Sequence, residues 1–224
     1  MSELKLNDED RAINQPMEKM VATYDAYMRK MTFGREQVLR QRTVELAGIN
    51  PGDTILEVGC GTGSLTLMAK KLSGHAGKVY GIDVIPDMIE YSRQKAVLAN
   101  EDIRFQLGTI NEIPFPDNTF NLVMCSFMIF HMSEDTRKKG IAEIYRVLKA
   151  QGRILMVDLA MPLKPLQKTI AKMIIFRGGL EHDLSELLPI MTKTGFSSLE
   201  FAPVKFSILG LSILAFIRGY AKKN

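Results

Sequence analysis

Short apolar runs alternate with stretches of helical periodicity through most of the chain. Runs rich in apolar and β-branched residues predict five buried strands, at about 54–58, 78–82, 103–107, 120–126 and 152–158. Apolar positions spaced three and four residues apart predict the intervening helices, at about 64–72, 86–98 and 133–148. Strict alternation of helices with strands too apolar to face water predicts an α/β fold with a doubly wound parallel sheet.

Both ends of the chain depart from this alternation. Before the first strand, two amphipathic helices are predicted, at about 16–31 with a break near Tyr24 and Asp25, and at about 35–47. After the fifth strand, a helix to about Lys193 precedes two strands, at about 196–206 and 211–220. Strands joined by so few residues pair antiparallel, so we predict a seven-stranded, mostly parallel sheet with an antiparallel last strand.

This pattern predicts a division of the chain into two parts. Residues 1–50 form an N-terminal helical cap, and residues 51–224 form the main domain, with a lid segment at about 161–182. The lid segment mixes Lys and Arg with a Met and Ile stripe. A helix packed on the sheet is the favoured interpretation, and an interfacial membrane patch is the alternative.

Composition is typical of a single soluble domain. A chain of 224 residues with 46% hydrophobic content can bury a full core without a disulfide or metal, and we predict no metal site. Two cysteines, Cys60 and Cys125, suit a reducing compartment, so the cytoplasm is expected. The polar start of the chain and the short apolar runs predict no signal peptide and no transmembrane segment. A net charge of +4 from scattered residues, with no tryptophan, does not indicate nucleic-acid binding.

Three alternate glycines follow the first predicted strand. The stretch TILEVGCGTG holds Gly59, Gly61 and Gly63, and Asp83 ends the next apolar run. Glycine lets the backbone turn sharply and approach a ligand with no Cβ in the way. An acid about twenty residues after such a turn accepts hydrogen bonds from ribose hydroxyls. Because Ser64 stands where dinucleotide-binding loops need Gly or Ala, the motif is E-x-G-x-G-x-G, which favours an adenosyl cofactor.

Four motifs in register resemble those of the class I S-adenosylmethionine-dependent methyltransferases. They read INPGDTILEVGCGTG, VYGIDVIPDMIEYSRQKA, IPFPDNTFNLVMCSF and EIYRVLKAQGRILMVD. The resemblance covers most of the chain. It implies a Rossmann-like methyltransferase fold whose seventh strand lies between the fifth and sixth, and S-adenosyl-L-methionine as the cofactor.

The resemblance also implies which residues hold this cofactor. The glycine loop would lie under the methionine portion, with Glu57 near the amino group and Thr62 beside the carboxylate, and Asp83 would hold the ribose. The remaining predicted cofactor residues are Val84, Met88, Thr109, Ile110 and Ser126. Within the family, VATYDAYMRKMTFGREQVLR, IPFPDNTF and IRGYAKK are most similar to the ubiquinone and menaquinone C-methyltransferase branch and its phospholipid N-methylating relatives.

Two side chains are candidates for a direct role in transfer. The strand NLVMCSFMIFHM ends at the carboxyl edge of the sheet, so Ser126 and His131 should line the active-site side. His131 could accept a proton from the acceptor, although packing beside the cofactor is the favoured interpretation. Tyr24 would cover the sulfonium, where its ring would favour the cation; an ordinary aromatic residue on an apolar helix face is the equal alternative.

The sequence predicts the chemical class of the acceptor more firmly than its identity. An acceptor pocket between the helix around Tyr24 and the lid segment would be lined by apolar side chains, among them Met28, Met31, Met173, Ile174 and Phe176. We therefore expect a methyltransferase acting on a small, apolar or lipid-like acceptor, with a quinone precursor as the lead. The alternative is a cofactor-binding module without catalysis. Peripheral membrane contact and a homodimer both stay open.

Overall fold

The computed structural model describes residues 15–174 and 183–223. Its strands are β1 (Thr54–Val58), β2 (Lys78–Asp83), β3 (Ile103–Leu107), β4 (Phe120–Ser126), β5 (Leu148–Leu159), β6 (Phe196–Pro203) and β7 (Leu214–Ala221). Its α-helices are α1 (Tyr24–Met31), α2 (Glu36–Ala47), α3 (Ser64–Ser73), α4 (Pro86–Leu98), α5 (Glu134–Val147), α6 (Pro165–Ile174) and α7 (Leu187–Thr194). Short 3₁₀ helices lie at Val21–Thr23, Ile129–His131 and Leu184–Glu186.

The strands form a seven-stranded sheet in the order β3-β2-β1-β4-β5-β7-β6. The pairs among β1 to β5 are parallel, whereas β7 runs antiparallel to both β5 and β6. This arrangement confirms the predicted doubly wound fold and the position of the last strand. The chain order reverses at β1, which lies between β2 and β4, and open α/β sheets bind ligands beyond the strand ends at such a switch point.

The central strands form where the sequence is apolar on both faces. Ile55 and Leu56 of β1 and Leu122 and Val123 of β4 are completely buried, because helices cover both sides of the sheet. Val58, at the end of β1, is level with Ile82 of β2 and Cys125 of β4. The residues that follow these three strands therefore meet at one edge of the sheet.

The ends of several elements differ from the sequence-based predictions. The predicted first helix is interrupted before Tyr24 rather than at it, by the 3₁₀ turn Val21–Thr23. β6 ends at Pro203, which pairs with Ala215, and the N–H of Val204 makes one more hydrogen bond to the carbonyl of Leu214 at 2.9 Å. Leu211, predicted to open β7, instead closes a tight turn by bridging to Ile208, so β7 begins at Leu214.

The two N-terminal helices are attached to the domain in different ways. α2 packs Leu39, Val44 and Ala47 into the core beside the sheet. None of the eight residues of α1, all of them described, is buried. Of the predicted lid segment, α6 is described, and residues 175–182 lie outside the described residues. No helix within the described ranges is both long and apolar enough to span a membrane.

Candidate active site

The glycine loop after β1 adopts a backbone that side chains resist. Gly59, Gly61 and Gly63 have φ values of 69°, 50° and 75°, in the left-handed region. A Cβ on Gly59 would lie 2.8 Å from the sulfur of Met128, and one on Gly63 would lie 2.8 Å from Cβ of Ser92. Glycine is therefore required at positions 59 and 63 for two reasons: the backbone is left-handed, and there is no room for a Cβ.

Asp83, at the end of β2, braces this loop. Its Oδ2 accepts a hydrogen bond from the backbone N–H of Gly61 at 2.8 Å, and its Oδ1 accepts one from the N–H of Ile85 at 3.0 Å. Only 9% of Asp83 is exposed. Burial raises the pKa of this carboxyl above its ordinary value, although backbone hydrogen bonds from Ile85, Gly61 and Val84 oppose the shift.

A first cleft opens at the carboxyl edge of the sheet above Asp83. It encloses about 900 Å³, including the space open to solvent. The structure brings together around it most of the residues predicted from the sequence, namely Tyr24, Gly59, Gly61, Asp83, Val84, Met88, Thr109, Ile110 and Ser126. Phe127, Met128 and Met132 extend its wall beyond the end of β4.

A second cleft of about 530 Å³ adjoins the first, and Tyr24 borders both. Glu57 and Thr62 border this second cleft, so the predicted cofactor residues are divided between two adjoining volumes. Tyr24, Gly59, Gly61, Ser126 and Phe127 border both. Gly63 borders neither cleft. It lies at the end of the glycine loop and immediately precedes α3.

The pKa values of Glu57 and Tyr24 are both raised, which favours the neutral form of each side chain. Glu57 is 2% exposed, and burial raises its pKa to about 8, even though the hydroxyl of Thr66 donates a hydrogen bond to its carboxylate. Burial also raises the pKa of Tyr24 to about 12, opposed by the nearby guanidinium of Arg40. At neutral pH the Tyr24 phenol therefore keeps its proton.

The segment after β4 is held in place by Asp158 at the end of β5. Its Oδ2 accepts hydrogen bonds from the N–H groups of Met128, at 3.1 Å, and Ile129, at 2.8 Å. Phe127 begins this segment with a positive φ of 56°. His131 ends the 3₁₀ helix that follows, but its side chain lies outside what the structure describes, so its role as a base stays a prediction.

The predicted acceptor pocket receives mixed support from the geometry. Met28 borders the second cleft, but no described residue of 161–174 borders either cleft. Met31 is 49% exposed and Met173 is 70% exposed. The Ile174 side chain and the whole of Phe176 lie outside the described residues. The apolar wall that the structure does show is formed by Phe127, Met128 and Met132.

Sequence reasoning missed Arg40 and the methionines after β4. Arg40 of α2 borders the second cleft, and its guanidinium lies 3.8 Å from the carboxylate of Asp25. Within the sequence it is one of several basic residues of a helix, and only its position in the fold distinguishes it. Within the described residues there is no group of three or more His, Cys, Asp or Glu side chains that could hold a metal ion.

Comparison with known proteins gives consistent matches. A family model described as a methyltransferase domain matches residues 55–152. A demethylmenaquinone methyltransferase of Symbiobacterium thermophilum is 32% identical over 157 residues, covering 69% of this chain and 62% of that protein. A ubiquinone/menaquinone biosynthesis C-methyltransferase of a Marinomonas species is 28% identical over 195 residues, covering 85% of this chain and 72% of that protein.

A solved structure agrees with these matches. The crystal structure of a SAM-dependent methyltransferase from Aquifex aeolicus has a TM-score of 0.67 at 23% identity, covering 91% of this chain and 98% of that chain. The chain spans less than two thirds of the length of the Symbiobacterium relative. The glycine loop, the strand order and these matches together confirm the resemblance to the class I S-adenosylmethionine-dependent methyltransferases, near the ubiquinone and menaquinone C-methyltransferases.

Proposed function

We propose that the protein transfers the methyl group of S-adenosylmethionine to a small apolar acceptor, with a quinone precursor as the leading candidate. The observation that carries this proposal is the first cleft, where the glycine loop, Asp83 and the end of β4 border one volume. Ligands of open α/β sheets bind at this edge. The relatives named for quinone methylation support the acceptor class.

The residues around the first cleft fit the adenosyl portion of the cofactor. A Cβ built on Gly61 would meet only Cε1 of Tyr24, at 3.7 Å, so the loop presents bare backbone to the cleft at this position. Both carboxylate oxygens of Asp83 accept backbone hydrogen bonds, and a carboxylate has about four lone-pair sites, which leaves capacity for ribose hydroxyls. Val84, Met88 and Ile110 offer apolar surface to an adenine.

The second cleft has the polar groups that suit the methionine end. The Arg40 side chain is only 16% exposed and borders the cleft together with Glu57 and Thr62. A guanidinium can bind a carboxylate through two parallel hydrogen bonds, so we assign the methionine carboxylate to Arg40. Glu57, largely protonated at neutral pH, faces the amino group as a hydrogen-bond partner rather than as a full negative charge.

Tyr24 helps to position the reacting groups and does not transfer a proton. When bound, S-adenosylmethionine supplies a methyl group already activated by a positively charged sulfur. In-line transfer then depends on holding the acceptor at the right distance and orientation. Tyr24 borders both clefts, where its ring suits a cation. Its phenol, protonated at neutral pH, covers the site and does not act as a base.

The side chains beyond Ser126 select for an apolar acceptor. Phe127, Met128 and Met132 border the first cleft, and Met28 borders the second. Methionine side chains adapt to irregular apolar ligands because they are unbranched and flexible. A ring with an apolar tail therefore fits this wall better than a small charged acceptor.

The proposal is tested by binding and transfer together. We expect calorimetry to detect S-adenosylmethionine binding, and labelled methyl to pass to a short-chain demethylmenaquinol but not to phosphoethanolamine. Asp83→Ala should weaken cofactor binding by about 1–3 kcal/mol, because it removes the ribose acceptor and releases the glycine loop. Asp87→Ala, an exposed acid at the start of α4, is the matched control and should bind like the wild type.

Each alternative result has a definite meaning. A wild-type protein that does not bind the cofactor would contradict the proposal. Binding without transfer to any acceptor would identify a cofactor-binding module instead of an enzyme. Transfer to phosphoethanolamine alone would overturn the apolar acceptor, while leaving the assignment of the cofactor intact.

A further inference from the structure

A polar network joins α1 to elements far away in the chain. Asp25 of α1 accepts a hydrogen bond from the hydroxyl of Thr62 at 2.8 Å and forms an ion pair with Lys95 of α4. Lys95 Nζ also donates to Ser64 Oγ at 2.8 Å and to Thr62 Oγ1 at 3.1 Å. Thr62 belongs to the glycine loop, and Ser64 begins α3. One lysine therefore contacts the helical cap, the loop and the first residue of α3.

The network is more protected from solvent than an ordinary surface ion pair. The Lys95 side chain is 22% exposed and that of Asp25 is 38% exposed. Burial disfavours the ionised form of Asp25, but the hydrogen bonds from Lys95 and Thr62 outweigh it and hold the pKa of Asp25 below its ordinary value. The guanidinium of Arg40 adds a second positive charge 3.8 Å away. Asp25 therefore stays charged at neutral pH.

This network adds polar contacts to a limited apolar attachment of α1, in which half-buried Tyr24 packs against the cluster of Val21, Ile85 and Met88. None of the residues of α1, a helix that is described in full, is buried, whereas α2 places three apolar side chains in the core. A helix with no fully buried side chain gains less stability from the hydrophobic effect than one that packs into the core. The contacts of Asp25 are consequently a large part of what fixes α1 against the glycine loop.

Tyr24 depends on this attachment because it is the residue next to Asp25. Its Cε1 lies 3.7 Å from the point where a Cβ of Gly61 would be, and its side chain borders both clefts. If α1 moved away, Tyr24 would leave the wall that it contributes to both clefts. The same ion pair that holds the helix thus sets the shape of the site.

We propose that Lys95 and Asp25 are positioning residues, which fix α1 and Tyr24 over the glycine loop and so determine how tightly the cofactor is held. Neither residue borders the first cleft or the second, so both act through Tyr24 and Thr62. The inference rests on the proposed function only in placing the cofactor on the glycine loop.

The test replaces Lys95 with Met, which keeps most of the length of the unbranched side chain and removes its charge. We expect the dissociation constant for S-adenosylmethionine to rise about tenfold, as for residues coupled in one network, and amides of α1 to exchange hydrogen faster in the ligand-free protein. Lys138→Met is the matched control, because Lys138 pairs with Glu134 on an exposed surface of α5. It should change neither quantity.

Two further variants keep the test independent of folding. Asp25→Asn is isosteric and should weaken binding as Lys95→Met does, and Lys95→Arg, which keeps the charge, should recover most of the affinity. If Lys95→Met and Asp25→Asn bound the cofactor like the wild type, or only lowered the melting temperature, the inference would be wrong. A wild type that did not bind would contradict the proposed function instead.

Discussion

At the scale of single residues, buried acids surround the glycine loop. Glu57 is 2% exposed and Asp158 is 1% exposed, and burial raises their pKa values to about 8 and about 6. The two acids meet different partners: Glu57 accepts a hydrogen bond from the side chain of Thr66, whereas Asp158 accepts several from backbone N–H groups. The greater shift of Glu57 is reasonable, because it has fewer donors to offset its desolvation.

Glu57 should make the stability of the ligand-free protein depend on pH. Between its ordinary pKa of 4.5 and its folded pKa of about 8, the folded state holds a proton that the unfolded state releases. The free energy of unfolding therefore falls as pH rises through this window. We therefore compare the free energy of unfolding, measured in urea, at pH 5 and pH 8. Its decrease should be larger in the wild type than in Glu57→Gln, by on the order of a few kcal/mol.

The control for this comparison is an acid outside the site. Glu90→Gln changes an exposed carboxylate on α4. In this variant the free energy of unfolding should fall between pH 5 and pH 8 by as much as in the wild type. Equal pH dependence in the wild type and Glu57→Gln would show that Glu57 is already ionised in the folded protein, or that its burial is not what the structure indicates.

Individual site residues could be predicted from the sequence only where a short motif contains them. Asp83 and the three glycines could be found because one motif sets both the backbone and the ligand contact. Arg40 and Met128 could not, because a basic residue in a helix and a methionine in an apolar run occur throughout this chain. Their places depend on how α2 and the segment after β4 pack against the loop.

At the scale of elements, the start of α3 is tightly packed and also requires a left-handed backbone. Gly63 precedes the helix with φ of 75°, and a Cβ there would lie 2.8 Å from Ser92 of α4 and 2.9 Å from the Phe105 ring of β3. This residue is the point where β1, α3, α4 and β3 approach one another. The glycine is required by packing as well as by the turn.

Gly63→Ala should therefore destabilise the protein more than an alanine at a comparable but open position. We expect a loss of about 2–5 kcal/mol, the sum of left-handed strain and overpacking. The matched control is Gly48→Ala at the end of α2, where φ is 56° and no atom lies within 4 Å of the added Cβ. It should cost about 1–2 kcal/mol, from strain alone. Equal losses in urea unfolding would show that Ser92 and Phe105 yield easily.

Strand and helix types could be predicted well, but their ends could not. The parallel core follows from apolar runs that leave no exposed face, so β1 to β4 lie close to their predicted positions. β5 begins at Leu148, before the predicted start, because it bends at Gln151, which has φ of 58°. The turn before β7 is longer than predicted because Ile208 and Leu211 pair with each other rather than extending β6 and β7. Such ends depend on partners that are distant in sequence.

At the scale of the whole molecule, α6 presents an exposed surface that combines apolar and basic residues. Ala171 is buried against the domain, while Leu166 and Met173 are 74% and 70% exposed. Lys168 and Lys172 lie on the same helix and are exposed. Apolar side chains beside lysines are typical of helices that bind the interface of anionic membranes. From the sequence, a packed helix and a membrane patch are alternatives. In this structure α6 can be both, because one side of it packs on the domain and another is exposed.

We expect weak, salt-dependent binding to vesicles that contain phosphatidylglycerol, and less binding to phosphatidylcholine alone. Leu166→Glu should reduce sedimentation with the anionic vesicles, because it places a charge on the apolar side of α6. Leu98→Glu, at the end of α4, is the control, because Leu98 is 87% exposed and lies outside α6. If both variants sedimented like the wild type, α6 would not be a membrane contact.

The position of β7 has a consequence for how the polypeptide folds during translation. β7 lies between β5 and β6 in the sheet, although it is the last strand along the chain. Until residues 214–221 leave the ribosome, β5 has an unpaired edge and β6 has no neighbour to join. Exposed strand edges recruit other chains, and pairing of distant segments is slow. The nascent protein therefore depends most on chaperones in the interval before its last strand is released.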